Sequence, residues 1–195
     1  MWVGETVAVL ASGFSMSRAV ADEVHAAGIP AIVTNNTFRL APWASMLYAA
    51  DEAWWRETPD AKDFKGLKVS VGEIKGVLRL INSGTTGFDP DPRRVRTGGN
   101  SGFQAVHIAA QAGADRILLC GFNMGGDHWH PEHIPPLRAT PQEVYQTWIQ
   151  RLEELAMLLS KRGIEVINCT PGSAIKAIRA STLANALATR HASQR

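Results

Sequence analysis

Cysteine is scarce in this chain, which holds only Cys120 and Cys169. Two isolated thiols inside apolar runs exclude a disulfide scaffold and indicate a reducing compartment. Long apolar runs are also missing: none approaches the about 18 residues that a membrane span needs. The opening MWVGETVAVLA has no basic segment ahead of its apolar stretch, so it does not read as a secretory signal. The expectation is a cytoplasmic protein with no membrane span. Excess charge is lacking too, at a net +2 over 195 residues with 19% charged. Dedicated nucleic-acid binders carry a denser basic stripe than the one short cluster Arg93, Arg94 and Arg96. Nucleic acid therefore ranks last among the partners. Repeats, low-complexity segments and linkers are absent, and the length suits one domain with a sizeable core. The chain divides into a domain over residues 1–180 and a helical tail over 181–195.

What is present is a strand–turn–helix–strand beginning. Residues 6–11 (TVAVLA) form a short apolar run that ends at the turn Ser12-Gly13-Phe14-Ser15. A helical stretch follows, and Gly28 suits the position just past its end. Residues 29–34 (IPAIVT) are the next strand, closing on Asn35 and Asn36. This is the start of a parallel βαβ unit. Residues 40–56 read as a short helix and then a strand around 52–55, with weaker strands at 68–71 and 77–81. Ser101 and Gln104 form an S-x-x-Q capping box on a helix that runs to Ala112. Residues 116–120 (RILLC) have the pattern of a fully buried strand. Thr140-Pro141-Gln142-Glu143 is a second capping box, followed by Val144, Trp148, Leu152, Leu155 and Leu159 at steps of three and four. Glu165 opens a last strand, with TPGS and a short helix to Ala180 beyond it. The fold class is α/β: a single Rossmann-like domain whose mostly parallel sheet is flanked by helices.

Four stretches can carry chemistry. The Ser12-Gly13-Phe14-Ser15 turn lets backbone approach a ligand, and the following helix start favours an anion. The fingerprint G-x-G-x-x-G is missing, so the turn alone is an ordinary one. Residues 93–102 (RRVRTGGNSG) set Arg93 and Arg96 before a glycine turn, Gly98-Gly99-Asn100-Ser101-Gly102, that opens a helix. Arginine forks and a helix amino terminus together make a phosphate site. Residues 125–133 (GGDHWHPEH) hold His128, His130 and His133, which suit acid–base work or contact with phosphate; their spacing is not a structural zinc pattern. Asn35 and Asn36 offer amides to a base or ribose, or form an Asx turn. The cluster Trp43, Tyr48, Trp54 and Trp55 suits the core or a contact between copies in a homo-oligomer, and less well a base stack.

Taken in order, AVLASGFSMS, the Asn35–Asn36 strand end, TGGNSGFQAVHIAAQAGADRILLCGFNM with its histidine loop, and EVINCTPGSAI resemble a known superfamily. It groups bacterial sialyltransferases that use CMP-sialic acid with the DUF115 proteins, which include a pterin pyrophosphokinase and small phage- or prophage-encoded proteins. The resemblance runs from Glu5 to Ile178 in scattered motifs. It implies a nucleotide or nucleotide-sugar ligand held by Ser12, Gly13 and Ser15, by Asn35 or Asn36, and by Gly99, Asn100, Ser101 and Gly102. It implies a catalytic base among His128, His130 and His133. Phe14 stands where the family has proline, and Asn123 stands where an acidic residue often follows the second glycine turn; Asp127 is a substitute for that carboxylate. The leading expectation is a glycosyltransferase-like enzyme. A metal-dependent phosphotransferase or diphosphotransferase, which brings a divalent metal, and a nucleotide-binding accessory protein without catalysis stand beside it.

Overall fold

A computed structural model describes residues 1–130 and 140–189. Apolar runs buried on both faces organise it. In β1 (Thr6–Leu10) Val7 and Val9 join one core cluster, while Ala8 and Leu10 join the other. The same alternation recurs in β8 (Arg116–Cys120), where Ile117 and Leu119 face one way and Leu118 and Cys120 the other. Strands covered on both sides read as continuous apolar runs, the mark of a parallel sheet between two helical layers. Seven strands among the described residues make one all-parallel sheet in the order β5-β4-β3-β2-β1-β8-β9. Its other members are β2 (Ala31–Thr34), β3 (Met46–Tyr48), β4 (Leu67–Ser70), β5 (Leu78–Arg79) and β9 (Glu165–Asn168). A separate parallel pair joins β6 (Ile81–Asn82) to β7 (Arg94–Val95). This is the single Rossmann-like α/β architecture expected from the sequence.

Helices α3 (Ser101–Gln111) and α4 (Gln142–Ser160) cover one face. Helices α1 (Arg18–Ala26), α2 (Glu52–Glu57) and α5 (Leu183–Ala188) cover the other. Of these, α3 is buried all round, as befits a central helix whose apolar residues occupy every face. No helix among the described residues is long and apolar enough to cross a membrane. Cys120 and Cys169 are both free and buried, and burial pushes the Cys169 thiol up to about 11.

Four local expectations are corrected. Residues 52–55 are helical in α2, and the strand lies earlier at Met46–Tyr48. Trp54 and Trp55 are adjacent yet both buried, because the helix turns one indole N–H to Asn36 Oδ1 (3.1 Å) and the other to the Ala49 carbonyl (3.0 Å). These two tryptophans therefore belong to the core and not to a surface between copies. The cap of α3 is Asn100, one residue before Ser101: Phe103 N donates to Asn100 Oδ1 at 2.9 Å. Gln104 instead accepts from the Tyr48 hydroxyl and donates to the Thr97 carbonyl (2.9 Å), tying β3 to the glycine turn. Helix α4 starts after Pro141 with no side-chain cap, so Thr140 does not close a capping box. Residues 171–180 are turns and an isolated bridge, and the helix near the carboxyl end is α5.

In this sheet the chain leaves β1 toward β2 and leaves β8 the opposite way, toward β9. The loops after β1 and β8 therefore diverge, and a crevice opens between them at the carboxyl ends of the strands. Ligands of open α/β sheets bind at such a switch point.

Candidate functional site

A cavity of about 460 Å³ occupies that crevice, within the range of small-ligand sites. Ala11, Ser12 and Gly13 after β1, together with Gly121 and Phe122 after β8, form its floor. Thr34, Asn35, Asp51, Ala53 and Trp54 form the wall on the β2–β3 side. The opposite wall is the segment from Met124 to His128 together with Thr140, Tyr145 and Trp148 of the α4 start. Gly99, Asn100, Ser101 and Gly102 bring the amino end of α3 into the same space.

The β1 turn is shaped by close approach. Gly13 N donates to the Gly121 carbonyl (2.9 Å), and Gly13 forms a bridge with His128. A Cβ at Gly13 would fall onto the Gly121 carbonyl oxygen and Asn123 Oδ1, nearer than real Cβ atoms come. Ser12 is buried: its hydroxyl donates to the Thr34 carbonyl (3.3 Å) and shares a hydrogen bond with Thr37 Oγ1 (3.0 Å). Gly13→Ala is expected to lower stability by about 2 kcal/mol, because the obstructing atoms are backbone and a fully bonded amide. A thermal melt checks it, with a midpoint lowered by roughly 4–8 °C for a chain of this size.

The glycine turn is held from two sides. Gly98 has φ 57, and a Cβ there would enter the Phe103 ring, so both backbone and space demand glycine. The Gly98 carbonyl accepts from Arg151 of α4 at 3.2 Å. With Phe103 N taken by Asn100 Oδ1 and Gln104 N by the Asn100 carbonyl, the Ser101 and Gly102 N–H groups have no partner among the described residues. The Asn100 amide nitrogen is out of solvent and likewise without a partner among them. Buried donors of this kind call for an acceptor.

Asn35 follows β2 with φ 47, a left-handed conformation unusual outside glycine. Its Oδ1 accepts from Ser101 Oγ (3.4 Å), which in turn accepts from Ala50 N (3.4 Å). Asn36 points elsewhere: its Oδ1 accepts from Trp54 Nε1 and from Arg39, so it braces the wall without lining the cavity.

Of the residues nominated from sequence, Ser12, Gly13, Asn35, Gly99, Asn100, Ser101, Gly102 and His128 come together around the cavity. Ser15 does not line it: its N–H and hydroxyl both donate to Asn123 Oδ1, at 3.1 and 2.8 Å. Gly98 lies one residue behind the lining. Arg93 is exposed and paired with Asp91 at 2.8 Å, which holds that carboxyl down at about 2. Arg96 donates to the Ser83 carbonyl and packs over Gly84. Neither arginine lines the cavity. His130 stacks on His128 at 5.0 Å between ring centres, behind the lining. His133 lies outside the described residues.

Sequence reasoning missed Asp51, Tyr145 and Trp148. The stripe on α4 begins lower than expected: Ile149, Leu152, Leu155 and Leu159 are buried. Trp148 and Tyr145 meet edge to face (5.4 Å) on the cavity wall. Three-and-four spacing cannot separate a residue that faces the sheet from one that faces a cavity beyond the sheet's end. Among the described residues no group of three or more His, Cys, Asp or Glu side chains comes together as a metal-binding set. No family model, no curated protein and no solved structure matches this chain.

Proposed function

We propose that this protein binds a nucleotide or nucleotide sugar and acts as a glycosyltransferase-like enzyme. The observation that carries the reading is the amino end of α3, with its glycine turn and donors that have no partner among the described residues, opening into a cavity at the switch point of a parallel sheet. Backbone N–H groups at such an end hold phosphate without a cationic side chain. This fits a cavity whose lining, among the described residues, includes neither lysine nor arginine. The nucleoside lies on the Asn35 side and the transferred sugar on the side of His128, Tyr145 and Trp148. His128 takes the proton of the acceptor hydroxyl as that oxygen bonds to the anomeric carbon of the sugar, while the bond from that carbon to the phosphate oxygen breaks and the nucleotide leaves with its electron pair.

Titration calorimetry with CMP, UMP, ATP and sugar nucleotides tests binding. At least one is expected to bind below millimolar concentration, and silence from all of them at millimolar ligand overturns the proposal. His128→Ala is expected to keep nucleotide affinity within about threefold while transfer falls by about 100-fold or more, the usual loss on removing a general base. A single-turnover assay with the nucleotide sugar that binds reads it.

One observation favours a second reading. Asp127 lines the cavity beside His128, and magnesium commonly uses one or two carboxylates plus substrate phosphates. Metal-dependent phosphotransfer predicts ATP turnover with magnesium or manganese that Asp127→Asn abolishes.

A further inference from the structure

The same cavity offers two groups that its phosphate-binding half does not use. Asp51 sits at the residue before α2, the usual place for a carboxylate that caps a helix, yet its side chain makes no capping bond. It lines the cavity instead. Asn35 faces the same wall, and its Oδ1 is committed to Ser101 Oγ, which leaves the amide nitrogen as the free end; nothing among the described residues bonds it. The two are close in the fold: Asn35 Oδ1, Ser101 Oγ and Ala50 N form one hydrogen-bonded chain, and Ala50 is the backbone neighbour of Asp51. The left-handed backbone of Asn35 (φ 47) is what turns its amide out of the β2 line.

The chemistry of this pair is asymmetric. An ionised carboxylate only accepts, with two oxygens side by side, and a primary amide nitrogen only donates. A vicinal diol is the matching partner, since each hydroxyl donates one hydrogen bond and accepts others. A phosphate, which at neutral pH brings acceptors and negative charge, is repelled from Asp51. The adjoining Trp54 indole N–H is already held by Asn36 and offers no competing donor.

Resting on the nucleotide reading above, we propose that Asp51 and Asn35 form a ribose subsite. The carboxylate receives the 2′- and 3′-hydroxyls, the Asn35 amide donates to one of them, and the protein thereby selects ribonucleotides over 2′-deoxyribonucleotides. Sites built to bond a hydroxyl discriminate against analogues that lack it, because their own polar groups are then left unpaired. Charge-assisted bonds sharpen the effect.

The test is calorimetry with three matched pairs, CMP and dCMP, UMP and dUMP, AMP and dAMP, on the wild type, Asp51→Asn and Asp51→Ala. The wild type is expected to bind the ribonucleotide of the responding pair at least 10-fold more tightly. Both variants are expected to lose about 10-fold toward the ribonucleotide and to bind the deoxynucleotide as tightly as before or more so, which collapses the ratio toward one. Asp51 is exposed, and a thermal melt within about 2 °C of wild type certifies the variants. Equal affinity of the wild type for ribose and deoxyribose forms overturns the subsite and leaves the nucleotide reading standing. An equal loss for both forms in the variants also overturns it. Failure of every nucleotide to bind removes the nucleotide reading itself, and the subsite with it.

Discussion

Replacing Asn123 with alanine is expected to destabilise the fold by about 3 kcal/mol, because it removes three hydrogen bonds at once and leaves their partners at a partly buried junction. Asn123 is buried. Its Oδ1 accepts from Ser15 N and Ser15 Oγ, at 3.1 and 2.8 Å, and its amide nitrogen donates to the Pro171 carbonyl at 3.0 Å. Its own carbonyl accepts from Ala174 N at 3.0 Å. One side chain thus joins the loops after β1, β8 and β9, the first two of which line the cavity. The melting temperature should fall by on the order of 10 °C, and the nucleotide that binds wild type should bind at least 10-fold more weakly, since the β1 turn loses its tie. Asn123→Asp separates packing from hydrogen bonding. It preserves volume and the bonds from Ser15, but it faces the Pro171 carbonyl with a second oxygen and buries a charge. A loss comparable to that of alanine at neutral pH assigns the effect to the polar contacts at Pro171, the lost donor together with the added charge, and not to packing. An aspartate variant as stable as wild type would show that the Pro171 contact contributes nothing. The position is a three-way structural tie whose donor is in use, which is a physical reason for asparagine there.

Legibility followed how local the physics was. The strands at 6–10, 31–34, 116–120 and 165–168 were readable because each is buried on both faces and so appears as an uninterrupted apolar run. The glycine turn before α3 was readable because a helix start and a left-handed backbone both leave marks in the sequence. What failed needed a tertiary partner. Arg93 and Arg96 looked free for phosphate; Arg93 had a local partner two residues back in Asp91, which could have been noticed, but the Ser83 carbonyl that occupies Arg96 could not. The segment expected to be a strand at 52–55 is a helix, and the burial of its two adjacent tryptophans depends on acceptors at Asn36 and Ala49. Asp51 takes its place on the cavity wall as the residue before a helix, which a strand at 52–55 hides.

Lowering the pH from 7 to 4 is expected to cost the fold about 3 kcal/mol through His107 alone. His107 lies in α3 with no exposed surface, and its Nε2 accepts from Asp89 N at 2.9 Å. The imidazole is therefore neutral with its proton on Nδ1. Burial is the largest influence and lowers its pKa to about 4; Arg96 pushes the same way, while Gln111 and the Asp89 carboxylate oppose it. The unfolded chain takes up this proton near the ordinary value of about 6.5, and the native protein refuses it until about pH 4. Stability is thus complete above roughly pH 6.5, falls by about 1.4 kcal/mol per pH unit between the two values, and levels off below the lower one. The carboxylates whose pKa values are lowered, Asp60, Asp89 and Asp91, shed their contribution only as pH falls through values below 3.8, so they do not share this window. Urea unfolding at pH 7, 5.5 and 4.5 reads the slope. His107→Gln, whose side-chain oxygen can still accept from Asp89 N but carries no proton-binding site, should flatten it to under about 1 kcal/mol, and an unchanged slope in that variant would assign the dependence elsewhere. The consequence reaches the site. Asp89 N belongs to the segment that runs through β7 into Gly98 and Gly99, and Gln111 holds that segment by donating to the carbonyls of Asp89, Asp91 and Arg94. Protonating His107 turns its acceptor into a donor aimed at an N–H, which releases the start of the segment whose other end is the glycine turn. Ligand affinity should therefore decline along the same curve as stability, and in His107→Gln it should hold down to pH 4.5.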